Sequence, residues 1–226
     1  MRILLVEDDE PTARSLELML KAEGYIVDIT DHGEDGLEIG QLYDYDIILL
    51  DLMLPDMDGY EVLRRLRSAR VRTPILILSG VAELDAKIKG LGFGADDYVT
   101  KPFSAREVAA RVQVLLRRPR SPVESKSEDV TELGDLRIDM LAREVQVAGE
   151  SIDLTKLEFD LLTTLAARPE MVFTRQILFE AVWGGEWYGD DHLVSVHIAN
   201  LRKKIDRSGH QHIATVRGVG YRLTPS

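Results

Sequence analysis

The sequence of 226 residues predicts a doubly wound (βα)5 parallel-sheet domain of the α/β class, followed by a smaller α+β domain. In the first half, short apolar runs without alternation are separated by segments with helical periodicity. The runs fall at residues 3–6, 26–30, 47–50, 75–78 and 98–100, and the helical segments at 12–21, 34–41, 60–67, 84–91 and 105–118. Such alternation predicts a parallel sheet that carries helices on both faces.

A segment of different composition separates the two halves. Residues 119–132 are rich in Pro, Ser and charged side chains and have no apolar periodicity. This composition is typical of a linker. We therefore expect one domain over residues 1–118 and a second over residues 133–226.

The second half predicts a winged helix-turn-helix. Residues 136–155 alternate between apolar and polar like short antiparallel strands, with Gly149 at a turn. Three helical segments follow at 155–167, 174–184 and 190–206, and Thr155 with Glu158 has the spacing of a capping box. Residues 213–223 read as a terminal hairpin that contains glycine.

Composition excludes some functions and permits others. There is no cysteine, so disulfides and thiolate metal sites are excluded. No apolar run approaches the roughly 20 residues that a membrane span needs, and the acidic start does not fit a signal peptide, so a cytoplasmic protein without a membrane partner is expected. Although the net charge is −11, residues 192–222 contain six basic residues and one acid, a local basic patch.

Charged and hydroxyl side chains follow four of the five predicted parallel strands. They are Glu7, Asp8 and Asp9 after the first, Asp51 after the third, Ser79 after the fourth and Lys101 after the fifth. The carboxyl ends of parallel strands share one edge, so these groups should meet there, although any one of the acids alone would be an ordinary solvated loop residue. Clustered carboxylates suit Mg²⁺, and a carboxylate beside it can accept a phosphoryl group.

The motifs at these positions resemble those of a known family. "EDD", "DLMLPDMDG", "ILSG" and "DDYVTKPF" are similar to the receiver domain of two-component response regulators, and the C-terminal segment resembles the OmpR/PhoB transcription factors. The two likenesses cover nearly the whole chain except the linker. "LELMLKAEGY" and "YDYDIILLDL" also resemble the cell-cycle master regulators of alphaproteobacteria.

The resemblance implies a role for each strand-end residue. Asp51 would be the phosphoacceptor, and Lys101, before a cis peptide to Pro102, would hold the phosphoryl oxygens. Ser79 and Tyr98 would form a switch pair in which the aromatic ring follows the hydroxyl inward. The Mg²⁺ ligands would be Glu7, Asp8, Asp51 and the carbonyl of Met53, while Asp9 would be a spare surface acid.

The resemblance also implies a homodimer that forms on phosphorylation. Its face would contain exposed charges from the last two helices and the last strand: Lys87, Asp96, Asp97, Glu107, Arg111, Arg117 and Arg118. The expected pairs across it are Lys87–Glu107, Asp97–Arg111, and Asp96 with Arg117 or Arg118. A solvated face of mixed charge is the ordinary alternative for such a pattern.

The helix at 190–206 is expected to enter the major groove of promoter DNA. Its apolar stripe is Val194, Ile198, Leu201 and Ile205, and the opposite face would present Val196, Ala199, Asn200 and Lys203. Asn200 could read adenine and Val196 a thymine methyl group, while His197, Arg202 and Lys203 would meet phosphates. His192 is a further candidate DNA contact. At the hairpin, Thr215 and Arg217 would contact DNA, with Arg217 suited to the minor groove.

Several positions depart from the family pattern. Relatives often carry Arg where this chain has His192, Ala199 and Asn200, and Asp where it has Ser195. Fewer cations on the helix should weaken nonspecific binding. The loop at 183–191 matches the family's segment that contacts RNA polymerase, although Trp183 itself fits a core position better.

Together these observations predict a transcription regulator that a sensor histidine kinase controls by phosphorylation. Two other functions stay open. The receiver could bind DNA without regard to phosphate, or the protein could be an enzyme, an aspartyl-phosphate phosphatase, although "DLMLPD" lacks the second Asp of a D-x-D nucleophile pair. A nucleotide-binding flavodoxin-like domain is disfavoured because no G-x-G-x-x-G follows the first strand.

Overall fold

The structure, a computed structural model, describes residues 1–80, 84–116, 130–184, 191–206 and 210–224. The chain divides into two compact units, Met1–Arg117 and Arg118–Ser226. Each unit has its own apolar core. In the part of the chain that the structure describes, no helix is long and apolar enough to cross a membrane.

The first unit alternates strands and helices from beginning to end. The elements are β1 Arg2–Val6, α1 Glu10–Ala22, β2 Ile26–Thr30, α2 Gly33–Leu42, β3 Ile47–Asp51, α3 Gly59–Ser68, β4 Ile75–Ser79, α4 Leu84–Gly92, β5 Asp97–Thr100 and α5 Ala105–Leu116. All strand pairs are parallel, in the order β2-β1-β3-β4-β5. This is the predicted doubly wound fold, confirmed in every element.

The middle of the sheet explains why the apolar runs do not alternate. Every residue of β3 and of β4 is buried, because helices cover both faces of these strands. The polar residue at the end of each strand is buried too, at 3% exposure for Asp51 and 0% for Ser79. Burying a carboxylate requires a compensating partner, so the sheet edge is where chemistry is expected.

Two acids at the start of β5 are buried, and the prediction that Asp96 and Asp97 lie on an exposed face is wrong. Asp96 is 0% exposed, and its Oδ2 accepts hydrogen bonds from Arg67 Nη2 and from the backbone N–H of Ile75, both at 2.8 Å. Asp97 is 6% exposed and pairs with Arg111. Each carboxylate is neutralised inside its own chain, which is why it can leave solvent.

Arg67 joins the end of α3 to the loops around it. Its guanidinium also donates to the backbone carbonyls of Val71, Thr73 and Gly94, at 2.6 to 2.9 Å. One side chain, only 13% exposed, therefore fixes both the α3–β4 connection and the approach to β5.

The second unit combines two antiparallel sheets with three helices. Its elements are β6 Val130–Leu133, β7 Leu136–Asp139, β8 Glu144–Val147, β9 Glu150–Ile152, α6 Lys156–Ala166, β10 Phe173–Thr174, α7 Arg175–Val182, α8 Asp191–Ile205, β11 Ile213–Val216 and β12 Gly220–Leu223. The sheet orders are β6-β7-β8-β9 and β10-β12-β11. The winged helix predicted from the sequence is confirmed.

Local signals in the sequence set the helix starts. Thr155 and Glu158 form the reciprocal capping box at α6, and the Thr174 hydroxyl caps α7. Gly149 has a φ of +81° at the β8–β9 turn, a conformation that favours glycine. The predicted linker is too long at its end, because residues 130–132 belong to β6 and pair with β7.

Replacing Arg67 with Ala should destabilise the protein by about 3–5 kcal/mol, because Asp96 would lose its charged partner while staying buried. The shift of the urea-unfolding curve of the full chain measures this loss. Arg64→Ala is the matched control on the same helix. Arg64 is 62% exposed and pairs with Glu61 at 3.1 Å, so its loss should cost less than about 1 kcal/mol. Equal effects of the two substitutions would contradict the assignment.

Candidate functional site

The carboxyl ends of β1 and β3 bring acids together. Val6 pairs with Leu50 in the sheet, so the residues that follow, Glu7 and Asp51, lie side by side. One carboxylate oxygen from each of Glu7, Asp8 and Asp51 lies within 4.8 Å of the other two. Glu7 and Asp51 are buried and Asp8 is exposed, so the cluster opens to solvent on one side.

Lys101 is shared by the two buried acids. Its Nζ lies 2.6 Å from Asp51 Oδ2 and 2.7 Å from Glu7 Oε1. Burial alone would lower the pKa of Lys101, but its hydrogen bonds to Asp51 and Glu7 outweigh that effect and the pKa is raised. The peptide bond to Pro102 is cis, as the sequence resemblance implied.

Glu7 has capacity left for a further positive charge. Burial raises the pKa of Glu7 to about 7, against the lowering effect of its hydrogen bond to Lys101. Its Oε2 is buried and accepts no hydrogen bond. One buried carboxylate oxygen that accepts no hydrogen bond, together with two neighbouring carboxylates, forms a set of oxygen ligands that fits a hard divalent cation.

The loop after β3 shapes the site around Asp51. The backbone N–H of Met53 donates to Asp51 Oδ1 at 3.2 Å, and Met53 bridges to Asp58. A Cβ on Gly59 would lie 2.3 Å from the backbone oxygen of Asp51, so no larger residue fits there without a shift of the backbone. Asp56 accepts from the first two N–H groups of α2, at 2.8 and 2.9 Å.

Asp56 and Gly59 were not singled out by sequence reasoning as site residues. The cluster of Asp and Gly in "PDMDG" was the available signal, because such residues favour turns and caps. Asp9, expected to be a spare surface acid, is exposed and caps α1 through the N–H of Thr12 at 2.9 Å.

Ser79 and Tyr98 lie together near the cluster, both buried. Burial raises the pKa of Tyr98, and its hydrogen bond with Ser79 acts in the opposite direction. Tyr98 thus points inward, tied to the strand end of β4. On its other side, Lys87 Nζ of α4 lies 6.0 Å from the centroid of the Tyr98 ring.

The residues expected at a dimer face are placed unevenly. Arg111 Nη1 contacts Asp97 Oδ2 at 2.8 Å and its Nη2 contacts Glu107 Oε1 at 3.4 Å, so the expected Asp97–Arg111 pair forms within one chain. Glu107 is exposed and Lys87 partly so. Arg117 and Arg118 lie outside the described residues.

Helix α8 buries a wider arc than its apolar stripe predicted. His197 is 2% and Asn200 is 7% exposed, so the predictions that His197 meets phosphates and that Asn200 reads adenine are wrong. The helix contacts both α6 and α7, and at about 100° per residue two packing partners extend the buried arc over both side chains. The His197 ring lies 5.4 Å from that of Trp183, which is core as expected.

The opposite arc of α8 is accessible. His192, Ala199 and Lys203 are exposed and Val196 is partly exposed. Arg202 is partly exposed, but its guanidinium donates to the Ile213 carbonyl at 2.8 and 3.0 Å and to Thr215 Oγ1 at 2.7 Å. These bonds join the helix to the β11–β12 hairpin, whose Thr215 and Arg217 are exposed.

Each of the two units matches a known protein family. The family model of the response regulator receiver domain matches residues 3–113, and that of the C-terminal domain of transcriptional regulatory proteins matches residues 149–223. The cell cycle response regulator CtrA of Brucella ovis is 49% identical over 225 residues, which cover 99% of this chain and 95% of the relative. This chain is a response regulator of the OmpR/PhoB family.

Other relatives and solved structures support the assignment. CtrA of Brucella anthropi is 48% identical over the same length. The solved structures of two RitR variants match this chain with TM-scores of 0.78 and 0.79 at 32% identity, over 100% of this chain and 99% of theirs. DrrB of Thermotoga maritima, an OmpR/PhoB homologue, has a TM-score of 0.51 at 33% identity, over 99% of this chain and 98% of its own.

The family assignment favours a transcription regulator over an aspartyl-phosphate phosphatase. The response regulator has a receiver domain and a DNA-binding domain, and its family consists of transcription factors rather than phosphatases. A receiver domain implies a histidine kinase as partner, and the second domain implies DNA.

Two substitutions on α8 should separate its buried and exposed arcs. Lys203→Ala should weaken DNA binding and leave the unfolding curve unchanged, because Lys203 is exposed. His197→Ala should destabilise the protein by about 2–3 kcal/mol through the cavity beside Trp183. Anisotropy of a labelled duplex and thermal unfolding measure the two effects. A stable His197→Ala protein with weak DNA binding would contradict the placement of His197 on the buried arc of α8.

Proposed function

We propose that this response regulator accepts a phosphoryl group on Asp51 from a sensor histidine kinase and then binds promoter DNA as a homodimer. The observation that carries the proposal is the placement of Asp51, buried at the end of β3 with Lys101 Nζ 2.6 Å from its Oδ2. A carboxylate held by one ammonium, beside further acids, is arranged to receive a phosphoryl group rather than to pack a core.

The transfer would use one Asp51 oxygen as nucleophile. A P–O bond forms to Asp51 while the P–N bond to the kinase histidine breaks, and the ring nitrogen keeps the electron pair. The imidazole leaves neutral when its other nitrogen carries a proton, and otherwise takes a proton from solvent. Lys101 can hold a phosphoryl oxygen, because its ammonium already lies between Asp51 and Glu7. The Met53 N–H at 3.2 Å from Oδ1 fixes the orientation of the carboxylate.

The cation for this transfer would be Mg²⁺. The side chains of Glu7, Asp8 and Asp51 and the Met53 carbonyl would hold it, and the Glu7 Oε2 without a donor supports this set. When bound, Mg²⁺ supplies positive charge for the oxygens of the transferring group. The chain's own residues keep the acids together: Lys101 bridges two of them, and Gly59 leaves room for the backbone of Asp51.

Phosphorylation would act on dimerisation through the switch pair. Ser79 is hydrogen-bonded to Tyr98, and Lys87 Nζ of α4 lies 6.0 Å from the centroid of the Tyr98 ring, so a change at the strand end would reach α4 through neighbouring side chains. The dimer face would include Lys87, Glu107 and Arg111, with Arg117 and Arg118 beyond the described residues. Exposed ion pairs contribute about 0–1 kcal/mol each, so they would set geometry more than affinity.

The second domain would read DNA with α8 and the hairpin. Val196 and Lys203 would lie in or beside the major groove with His192, while Thr215 and Arg217 would contact the backbone or the minor groove. Residues 183–191 would contact RNA polymerase; of these, 185–190 lie outside the described residues. The CtrA relatives support a role in cell-cycle transcription.

The domain plan follows from the same reasoning. We place the receiver domain at residues 1–118 and the DNA-binding domain from β6, which starts at Val130, to residue 226, with the linker between them. A histidine kinase and DNA as partners fit a cytoplasmic protein.

Asp51→Asn should abolish phosphorylation by a small acyl phosphate donor with Mg²⁺, because the amide is not a nucleophile towards phosphorus. Intact mass should show one phosphoryl group on the wild type, and light scattering should show a shift towards dimer. Asp9→Asn is the matched control, because it replaces one of the three acids that follow β1 and asparagine can still cap α1. An unphosphorylated wild type would contradict the switch and favour a receiver that ignores phosphate.

Asp8→Asn should raise the Mg²⁺ concentration needed for half-maximal phosphorylation by about tenfold or more, because one of three carboxylate ligands is lost. A titration of the initial phosphorylation rate with MgCl₂ measures this shift. Chelation of the metal should stop the reaction in the wild type. A variant with the wild-type Mg²⁺ dependence would remove Asp8 from the metal site.

A further inference from the structure

Arg175 is the first residue of α7, and it has no acid among its described partners, unlike Arg67, Arg111 and Arg143. Arg175 is exposed, and among the described side chains, which do not include that of Asp191, no carboxylate lies within salt-bridge distance of it. Arg67, Arg111 and Arg143 each pair with a buried acid. Since an ion pair largely cancels the charge that a ligand meets, Arg175 keeps its full charge for a partner.

The position of Arg175 is fixed by neutral groups. Its Nε donates to Ser195 Oγ at 3.1 Å, and the Tyr221 hydroxyl donates to the same oxygen, also at 3.1 Å. One hydroxyl thus joins the start of α7, the middle of α8 and the wing strand β12. Within the described residues, the two Nη groups of Arg175 make no hydrogen bond, so its paired donors stay available.

A second arginine lies over the same aromatic ring. The guanidinium carbons of Arg175 and Arg202 lie 5.8 and 5.6 Å from the centroid of Tyr221. Arg202 is already used, since it donates to the Ile213 carbonyl and to Thr215. Tyr221 is therefore a platform that holds one arginine for the internal contacts of the wing and leaves the other open.

The site lies at the border of the accessible arc of α8. Ser195 is three residues after His192 and four before Ala199, so all three share a face of the helix. Ala199 has no charge, and Asn200, which the sequence placed on this face, is buried. The outer surface of α8 consequently has few cations, and Arg175 supplies one from the neighbouring helix.

We propose that Arg175, held by Ser195 and Tyr221, binds a backbone phosphate of DNA. A free guanidinium with two open Nη groups suits a phosphodiester, which it can bind through paired hydrogen bonds. A place at the flank of the reading helix, away from its centre, favours the backbone over a base. The inference rests on the DNA binding proposed above and adds a contact that carries no base specificity.

The first test compares Arg175→Gln with the wild type in the full chain. The probe is a fluorescent duplex of random sequence, and its anisotropy is titrated at several salt concentrations. The plot of log affinity against log salt has a negative slope, and loss of one phosphate contact should make it shallower by about 0.9. Binding should weaken about five- to tenfold near 0.1 M salt. Arg64→Gln makes the same charge change in the receiver and should alter neither value.

Ser195→Asp gives a second test that does not depend on the loss of Arg175. The new carboxylate would lie beside Arg175 Nε and neutralise it. The salt slope should fall as for Arg175→Gln, while thermal stability stays the same or rises through the added ion pair. A purely structural role for this contact predicts an unchanged salt slope, whatever the change in stability. Arg175→Lys should restore the slope because it keeps the charge.

The outcomes separate this inference from the proposed function. A wild type that does not bind the duplex would overturn the DNA-binding function itself. Wild-type binding together with an unchanged salt slope in both Arg175→Gln and Ser195→Asp would overturn only the phosphate site. A reduced slope in both, with folded proteins by thermal unfolding, would establish it.

Discussion

The ammonium of Lys101, shared by Glu7 and Asp51, is the interaction on which the rest of the receiver depends. A parallel sheet brings the ends of β1, β3 and β5 to one edge, although Lys101 lies 94 positions after Glu7 in the chain. Two buried carboxylates side by side would repel strongly without a cation between them. The fold thus assembles an acidic centre that Lys101 neutralises only in part.

Compensated and uncompensated charges separate the structural parts of the protein from its reactive parts. In three pairs a buried acid meets a cation from another part of the chain: Asp96 with Arg67, Asp160 with Arg143 and Glu158 with Lys204. Each pair links two parts of the chain, and its opposite charges largely cancel, so little electrostatic field remains at the surface. The acidic centre and the exposed cations of the wing region keep their charge, and these are the places where a phosphoryl group or DNA is expected.

Much of the fold and part of the candidate site could be predicted from the sequence. Strand ends are local signals, so Asp51, Ser79 and Lys101 could be placed at one edge once five parallel strands were recognised. His197 and Asn200 could not be placed, because periodicity gives the centre of a buried arc but not its width. That width depends on α6 and α7 both packing against α8. Asp96 failed for a related reason: its partner Arg67 lies 29 residues away, and nothing local marks the pair.

The bonds from Arg202 to the hairpin join α8 directly to strand β11. Three hydrogen bonds fix β11 against α8 before any DNA is present. The ordering entropy of the hairpin is thereby lost during folding and not during binding. In the proposed DNA complex, the distance between the contacts of α8 and those of the hairpin would be fixed as well, so binding would depend on the twist of the duplex. Sequences whose helical repeat brings both grooves to that spacing would be bound without deformation, and stiff sequences with another repeat would be disfavoured even when every contacted base is correct.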